Sequence, residues 1–449
     1  MKLTNEQRLN LPRTLKLGTF HIGSSFIDLL TSGVLNRILI TDLALAATPV
    51  ALLSALRYLL APLSVWAGYR SDLRPPGTLR RLPFIWGGRL PMLLSLPILP
   101  FVTALLAEDP GSVLGWSLAF VAFLIYGIGT LISGATYLSL VRDSAPPTRR
   151  GQALAIVQVF LVISFPLAGV IYGRLMPVYD QASFWRLVLI GMTIAFAFIA
   201  FALWGAERPA ETTAAVDPTP PEPFLPLLRQ MWSDPRARWF FIFLALGAVS
   251  AFAQDAVLEP FGGDVFGLDN GQTTRFNAYW GAGVVVSLLG TVYVTRHRAA
   301  HEQTSVAKIG LALTGIPLFL LSVIALTEWQ ALLIPVLVLF GLGFGIYTVG
   351  AVSLLAAMTT ERHAAAYLGL WSMTQLLFRG LGIFAGGAIR DIALFFSGSY
   401  TIAYASVFLL EALGLFVCIA ILQRVDVPGF VRGESRPLGP SATLAAADG

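Results

Sequence analysis

Charge is scarce in this chain, and so are the side chains that carry chemistry. Lys, Arg, Asp and Glu together make up 12% of the 449 residues, about half the share of an ordinary soluble protein. There is one cysteine, Cys418. It excludes an internal disulfide and, lying in an apolar run, argues against redox chemistry. Histidine occurs four times, at 21, 297, 301 and 363. No glycine-rich phosphate loop, metal-ligand cluster or nucleophile–base set is present, so the sequence predicts neither an enzyme nor a tightly bound metal. His297 and His301 have a helical metal spacing, yet only Glu302 beside them offers a further ligand, and a solvated loop is the simpler reading.

What the chain has instead is apolar length. Apolar residues make up 56% of it, in recurring stretches of about 20 residues, each long enough to cross a bilayer. The pattern predicts twelve spans, at roughly 16–40, 46–68, 84–106, 114–140, 152–174, 184–205, 238–262, 276–295, 307–326, 330–357, 364–390 and 400–423. The opening "MKLTNEQRLNLPRTLKLG" is polar and basic without a small-residue cleavage site, so no removable signal peptide is expected. Of the 30 Lys and Arg, 23 fall in the N-terminus, the even-numbered connections and the C-terminus. Four fall in the odd-numbered connections (Arg174, Arg186, Arg275 and Arg390), and Arg37, Arg57 and Arg379 lie inside spans. That asymmetry predicts that both termini are cytoplasmic.

The longest polar stretch is "GAERPAETTAAVDPTPPEPFLPLLRQMWSDPRAR", Gly205 to Arg238. Its Pro, Thr and acid content predicts a flexible linker, and Phe224 to Trp232 a short helix on the membrane surface. The expected organisation is an N-terminal six-helix half (1–205), a cytoplasmic linker (206–237), a C-terminal six-helix half (238–424) and a flexible tail (425–449). Weak internal matches support two related halves. "VLNRILITDLAL" (Val34–Leu45) matches "VLEPFGGDVFGL" (Val257–Leu268) at its ends, and "QVFLVISFPLAG" (Gln158–Gly169) lies over "QLLFRGLGIFAG" (Gln375–Gly386).

Parallel six-span halves joined by a cytoplasmic linker are the plan of the major facilitator superfamily. The loop "GYRSDLRPPGTLRR" (Gly68, Asp72, Arg74, Gly77, Arg80, Arg81) resembles that superfamily's loop motif. The resemblance implies that Asp72 faces the positive N-terminal end of helix 11, near Arg362. Three stretches say more: "SGVLNRILITDL" in span 1, "GYRSDLRPPGTLRRLPFIWGG" after span 2, and "QDAVLEPFGGDVFGL" in span 7. Together they resemble the PucC family, the bacteriochlorophyll delivery branch of the superfamily. The resemblance implies an all-α membrane protein of the bacterial inner, photosynthetic membrane. It would bind bacteriochlorophyll or chlorophyll as cargo and deliver it to antenna polypeptides, alongside pigment-synthesis enzymes and without nucleic acid.

A chlorin needs apolar walls and one axial donor to its magnesium. His21, about five residues into span 1, is the only histidine placed to ligate a membrane pigment. A histidine satisfied by a neighbouring carbonyl or water is the other reading. Asn36, Gln158, Asn277 and Gln375 could also offer an oxygen, and nothing in the sequence selects among them. Glycines crowd span 4 (Gly127, Gly129, Gly134) and span 10 (Gly341, Gly343, Gly345, Gly350), for close helix packing or for room beside something flat. The competing function is a proton-coupled transporter of a small apolar solute, which would also use intramembrane acids. A scaffold without cargo is a third.

Six charges lie in or at the edge of spans 1, 2, 7 and 11. At about 1.5 Å of rise per residue, Asp28 and Arg57 fall near mid-membrane, Asp255 and Arg379 in the outer half, and Arg37 and Glu259 at the outer edge. An unpaired charge in the bilayer is costly, so the expected pairs are Asp28–Arg57, Asp255–Arg379 and, across the two halves, Arg37–Glu259. Pro260 and the Gly262–Gly263 pair are expected to end helix 7. Glu411 in span 12 has no evident partner in the sequence. The topology has a direct check. On a Cys418→Ala background, a cysteine near Pro110 should react with an impermeant reagent in intact cells, and one near Pro220 only after the inner face is opened. Labelling near Pro220 from outside would overturn the twelve-span scheme.

Overall fold

Residues 9–75, 78–146, 149–207, 232, 235–298, 300–358 and 364–427 are described by the computed structural model. Most of the expected linker, the tail from 428, and Gly77, Arg362 and His363 lie outside them. Among the described residues the regular structure is helical throughout. Among the described residues eleven helical segments, from Ala47–Asp72 to Tyr400–Val425, are long and apolar enough to cross a membrane.

The first set of helices runs α1 (Leu11–Gly18), α2 (Phe20–Leu29), α3 (Leu35–Arg37), α4 (Ala47–Leu59), α5 (Pro62–Asp72), α6 (Leu82–Ser95), α7 (Ile98–Glu108), α8 (Val113–Asp143), α9 (Arg150–Leu175) and α10 (Gln181–Leu203). The second runs α11 (Pro235–Phe252), α12 (Leu258–Phe266), α13 (Asn270–Thr274), α14 (Phe276–Thr295), α15 (Thr304–Thr327), α16 (Leu333–Ala357), α17 (Ala364–Ser397) and α18 (Tyr400–Val425). The stretch expected as span 1 is helical from Phe20 to Asp42, but π turns at Leu30–Val34 and Ile38–Asp42 interrupt it on either side of α3. Such turns shift the residues beyond them around the helix axis and are frequent at functional sites.

Local signals set the helix ends. Asn10, Ser112 and Asp180 each accept a hydrogen bond from a backbone N–H three residues on, and Asp269 and Gln272 form a reciprocal capping box. The Ser183 hydroxyl and N–H also hold the exposed Asp180 carboxyl below the usual carboxylate range. Span 7 departs from expectation. Its helix stops at Phe252, passes through a 3-10 turn at Ala253–Ala256, and resumes as α12. Pro260 sits in the first turn of α12, where a missing N–H costs nothing, and the Gly pair lies inside the helix. The helix ends instead at Gly267, at φ 64°, the left-handed terminator that glycine adopts without strain.

Helices of each set pack mainly on one another: α2 on α9 and α10, α6 on α8, α11 on α17 and α18, and α16 on α14 and α15. The two largest crossings between the sets are α17 on α4 and α14 on α9. Both depend on missing side chains. A Cβ on Gly387 would stand 2.6 Å from Ala51 Cβ and 2.8 Å from Ala47 O, and one on Gly281 of α14 would stand 2.6 Å from Pro166 Cγ of α9. The glycines of α16 serve the same purpose, Gly341 against Trp280, Gly343 against Leu313 and Gly350 against Ala307. In α8, Gly129 meets Gly88 and Gly127 meets Arg57, while Gly134 faces open space. The glycine-rich helices are thus shaped for close approach. Gly387→Leu should destabilise the protein by about 1–3 kcal/mol through overpacking. Gly134→Ala should stay within about 0.5 kcal/mol of the parent, the range of surface changes away from special features. Thermal unfolding in detergent separates the two, and equal effects would count against this account of the crossing.

Candidate functional site

The charges that composition makes scarce are gathered where the two sets of helices meet. In the first set, Arg57 on α4 reaches Asp28 on α2, Nη1 to Oδ1 3.1 Å. The same Nη1 donates to the Tyr126 hydroxyl at 2.6 Å, and Tyr126 donates in turn to Asp28. Nη2 donates to the Tyr58 hydroxyl at 2.7 Å. A Cβ on Gly127 would stand only 3.0 Å from Arg57 Cα, so its absence lets α8 bring Tyr126 to the pair. In the second set, Arg379 on α17 lies 2.9 Å from Asp255, on the 3-10 turn of span 7. Its guanidinium also stacks over Phe252 at 4.0 Å and over Tyr58 at 4.8 Å. Tyr58 therefore takes a hydrogen bond from the arginine of one set and the π contact from the arginine of the other. The sequence offered no signal for Tyr58 or Tyr126 beyond their place in spans.

Arg37 and Glu259 do not form the expected pair. Arg37 lies 3.0 Å from Asp42 on its own helix and donates to the Leu268 carbonyl at 3.0 Å. Glu259 accepts from Asn277 at 2.6 Å and Thr274 at 3.1 Å. The expectation assumed that equivalent positions in spans 1 and 7 share a height and direction. The π turns of one and the 3-10 turn of the other change the residues per turn, so the equivalence fails. Gly263 is where the Arg37 guanidinium packs, since a Cβ there would meet it at 2.5 Å.

A second ionic group was hidden because Arg390 counted as a loop residue. It lies in α17, buried, 2.9 Å from both Asp264 and Asp391, and Tyr404 donates to the same Asp264 oxygen at 2.5 Å. Asp391 caps the N-terminus of α4, accepting from Ala47 N at 3.0 Å, Thr48 N at 2.7 Å and the Thr48 hydroxyl at 2.6 Å. With Arg37–Leu268, Asn270–Asp42 at 2.9 Å and Gly271 N to Pro177 O at 2.8 Å, these bonds lock the two sets together at the face of the odd-numbered connections. Among the described residues the hydrogen bonds between the sets cluster there.

The loop motif acts locally. Arg81 joins Asp72 at 2.5 Å, Asp143 at 2.9 Å and the Ser71 hydroxyl at 2.5 Å, tying the end of α5 to the start of α6 and the end of α8. Glu207 accepts the N–H groups of Arg80, Arg81 and Leu82, capping α6. Arg74 donates to the Leu79 carbonyl at 3.2 Å, and Gly68 has open space around it. The implied partner of Asp72 near Arg362 falls outside the described residues, as does Gly77.

The five candidate donors to magnesium are scattered. His21 is buried, edge-on to Tyr137 at 5.1 Å, and neither ring nitrogen has a hydrogen-bond partner. The Asn36 oxygen accepts from Ser54 at 2.9 Å, and that of Asn277 from Trp280 at 3.3 Å. Gln158 is exposed on α9 and Gln375 half-buried on α17. Beside His21 lies Arg89, buried in α6, its guanidinium 4.6 Å from the centre of the Phe20 ring.

The model of the family described as PUCC protein matches residues 34–430. An uncharacterized protein of the puhA–bchM intergenic region of Rhodobacter capsulatus is 29% identical, over 94% of this chain and 91% of its own. Protein PucC of Cereibacter sphaeroides is 28% identical over 92% of each chain. A bacteriochlorophyll synthase 44.5 kDa chain of Rhodobacter capsulatus is 28% identical over 94% and 96%. Among solved structures, a bacterial homolog of the human lysosomal transporter Spinster, inward-facing and unoccupied, superposes with TM-score 0.66 over 97% of this chain and all of its own, at 14% identity. The inward-open xylose transporter XylE of E. coli gives 0.65 over 90% and 95%, at 12% identity. At these identities the likeness speaks for a major facilitator fold alone.

The pairs set up a thermodynamic test. Asp28→Asn leaves Arg57 a part-buried cation without its anion, and should cost about 3–5 kcal/mol. Replacing both with Leu should restore most of that loss. Chemical unfolding in detergent measures both, and a double variant no better than the single would show that the tyrosines, not the ion pair, hold this region. Arg37→Glu with Glu259→Arg is expected to give no mutual rescue.

Proposed function

Because the chain belongs to the PUCC protein family, we propose that it is a non-enzymatic, multi-pass membrane protein that binds or delivers (bacterio)chlorophyll to antenna polypeptides during light-harvesting complex assembly. The observation that carries this reading is the family match, which runs from span 1 almost to the end of the chain. Relatives named for PucC and for bacteriochlorophyll synthase support a pigment-related role. In the same reading the chain has twelve spans in two six-helix halves (1–205 and 238–424), a cytoplasmic linker and tail, and both termini in the cytoplasm of a phototrophic bacterium. Its partners are antenna polypeptides and pigment-synthesis enzymes.

His21 is the best-suited magnesium donor of the five. Its ring nitrogens have no protein partner, whereas the Asn36 and Asn277 oxygens are already engaged. A donor behind the Phe20–Tyr137 stack demands that those rings part to admit a chlorin. Asp28, Arg57, Tyr58, Asp255 and Arg379 line the seam that such cargo would pass. The alternative, a proton-coupled major facilitator transporter of a small apolar solute, draws on the same seam and on the fold shared with Spinster-like and sugar transporters.

Gentle purification from a phototrophic host should bring down chlorin absorption with the protein, reduced but not abolished in His21→Ala. Deleting the gene should lower antenna complexes while pigment-synthesis enzymes remain active. A colourless protein, normal antenna levels and sensitivity to an unrelated solute would turn the conclusion to the transporter.

A further inference from the structure

Glu411 lies eleven residues from the start of α18, among apolar neighbours, and only 2% exposed. Its Oε1 accepts from the backbone N–H of Gln254 at 2.6 Å, in the 3-10 turn that interrupts span 7. A broken helix in a membrane must satisfy its freed N–H groups within the protein, and Oε1 does so here. The other carboxyl oxygen, Oε2, has no hydrogen-bond partner. Neither has the side-chain oxygen of Gln254, the residue already bound to Glu411 through its backbone. Two buried acceptor oxygens, on two residues in contact, each lack a donor.

The charges around Glu411 point the same way. On the 3-10 turn, Asp255 is held by Arg379 of α17 at 2.9 Å. Also on α17, Arg390 is held by Asp264 and Asp391. On α12, Glu259 is bound by Asn277 and Thr274. The remaining cations of the packed helices are Arg236 and Arg238 at the start of α11, Lys308 near the start of α15, and Arg424 at the end of α18. Arg424 stands thirteen residues along the helix from Glu411, about 20 Å at 1.5 Å per residue. Among the described residues no cation is left to neutralise a carboxylate at this depth, and an uncompensated buried charge is far costlier than a neutral acid.

We propose that Glu411 is a proton-binding site, loaded at neutral pH, and connected to the inter-set seam through Gln254 and Asp255. The proton resides on the carboxyl group, so that the unpartnered Oε2 carries a hydrogen in place of an uncompensated charge. Gln254 donates through its amide to the Ala251 carbonyl at 3.0 Å and, at 3.4 Å, to Asp255, whose side chain is 23% exposed. Asp255 in turn holds Arg379, which rests on Tyr58 of the other set. Loss of the proton would place an anion beside Asp255 and draw Arg379 from its present partner, so the occupancy of Glu411 bears on the contact between the sets. The site does not depend on a pigment being the cargo.

Infrared spectroscopy of the full chain in nanodiscs at neutral pH tests this without any ligand. The wild type should show the carbonyl stretch of a protonated carboxylic acid in a buried site, shifted in heavy water. Glu411→Gln keeps the acceptor for Gln254 N and should fold, yet should lose that band. Asp255→Asn should retain it. A wild type with no such band, or a band that survives in Glu411→Gln, would overturn the proposal. Should Glu411→Gln fail to fold, Glu411→Asp with a displaced band serves instead, and a band unmoved by that change would overturn it equally.

Discussion

A guanidinium inside a bilayer cannot shed its proton, so it must be met by an anion or a π face, and much of this structure follows from that requirement. Arg57 takes Asp28 with two tyrosine hydroxyls, Arg379 takes Asp255 with Phe252 and Tyr58, and Arg390 takes Asp264 and Asp391 with Tyr404. In each case the arginine and an acid stand on different helices, so each arrangement fixes the mutual rotation of those helices. Arg89 shows the weaker solution. It rests on the Phe20 ring and near the Met92 sulfur, with no carboxylate in salt-bridge range among the described residues.

Helix association in lipid gains little from burying apolar surface, since the tails are as apolar as leucine. Close backbone approach and polar contacts therefore carry the joint between the two sets. The α17–α4 crossing uses both. Gly387 and Gly380 let the helices approach, and Asp391 then caps α4 from the far end of the same helix. Because this cap, the Arg37–Leu268 bond and the Asp42–Asn270 bond gather at one face, the sets are locked there.

The acidic stretch of span 7 shows how one segment serves several needs. Its 3-10 turn presents Asp255 to Arg379 and frees an N–H that Glu411 accepts. Its glycines are contact surfaces: a side chain on Gly262 would collide with Phe276 and Thr273, and one on Gly263 with Arg37. Glycine in a helix is read from sequence as a breaker, yet here the α-helix stops at Phe252, six residues before Leu258, and the glycines sit where helices touch.

The sequence by itself determined that this is a many-span membrane protein, through the recurrence of apolar stretches whose length matches a bilayer. It also determined the family, through stretches in spans 1 and 7 and the loop after span 2. Asp28–Arg57 and Asp255–Arg379 were legible as neighbours, because depth in a membrane is nearly one-dimensional and few charges compete for each partner. Only the tertiary structure decided direction. The packed helices leave Arg37 bonded to Asp42 and Leu268 and not to Glu259, bury Arg390 and Arg89, and bring Glu411 to the turn at Gln254. Rotation about a helix axis accumulates from every residue before it, and no local stretch of sequence records it.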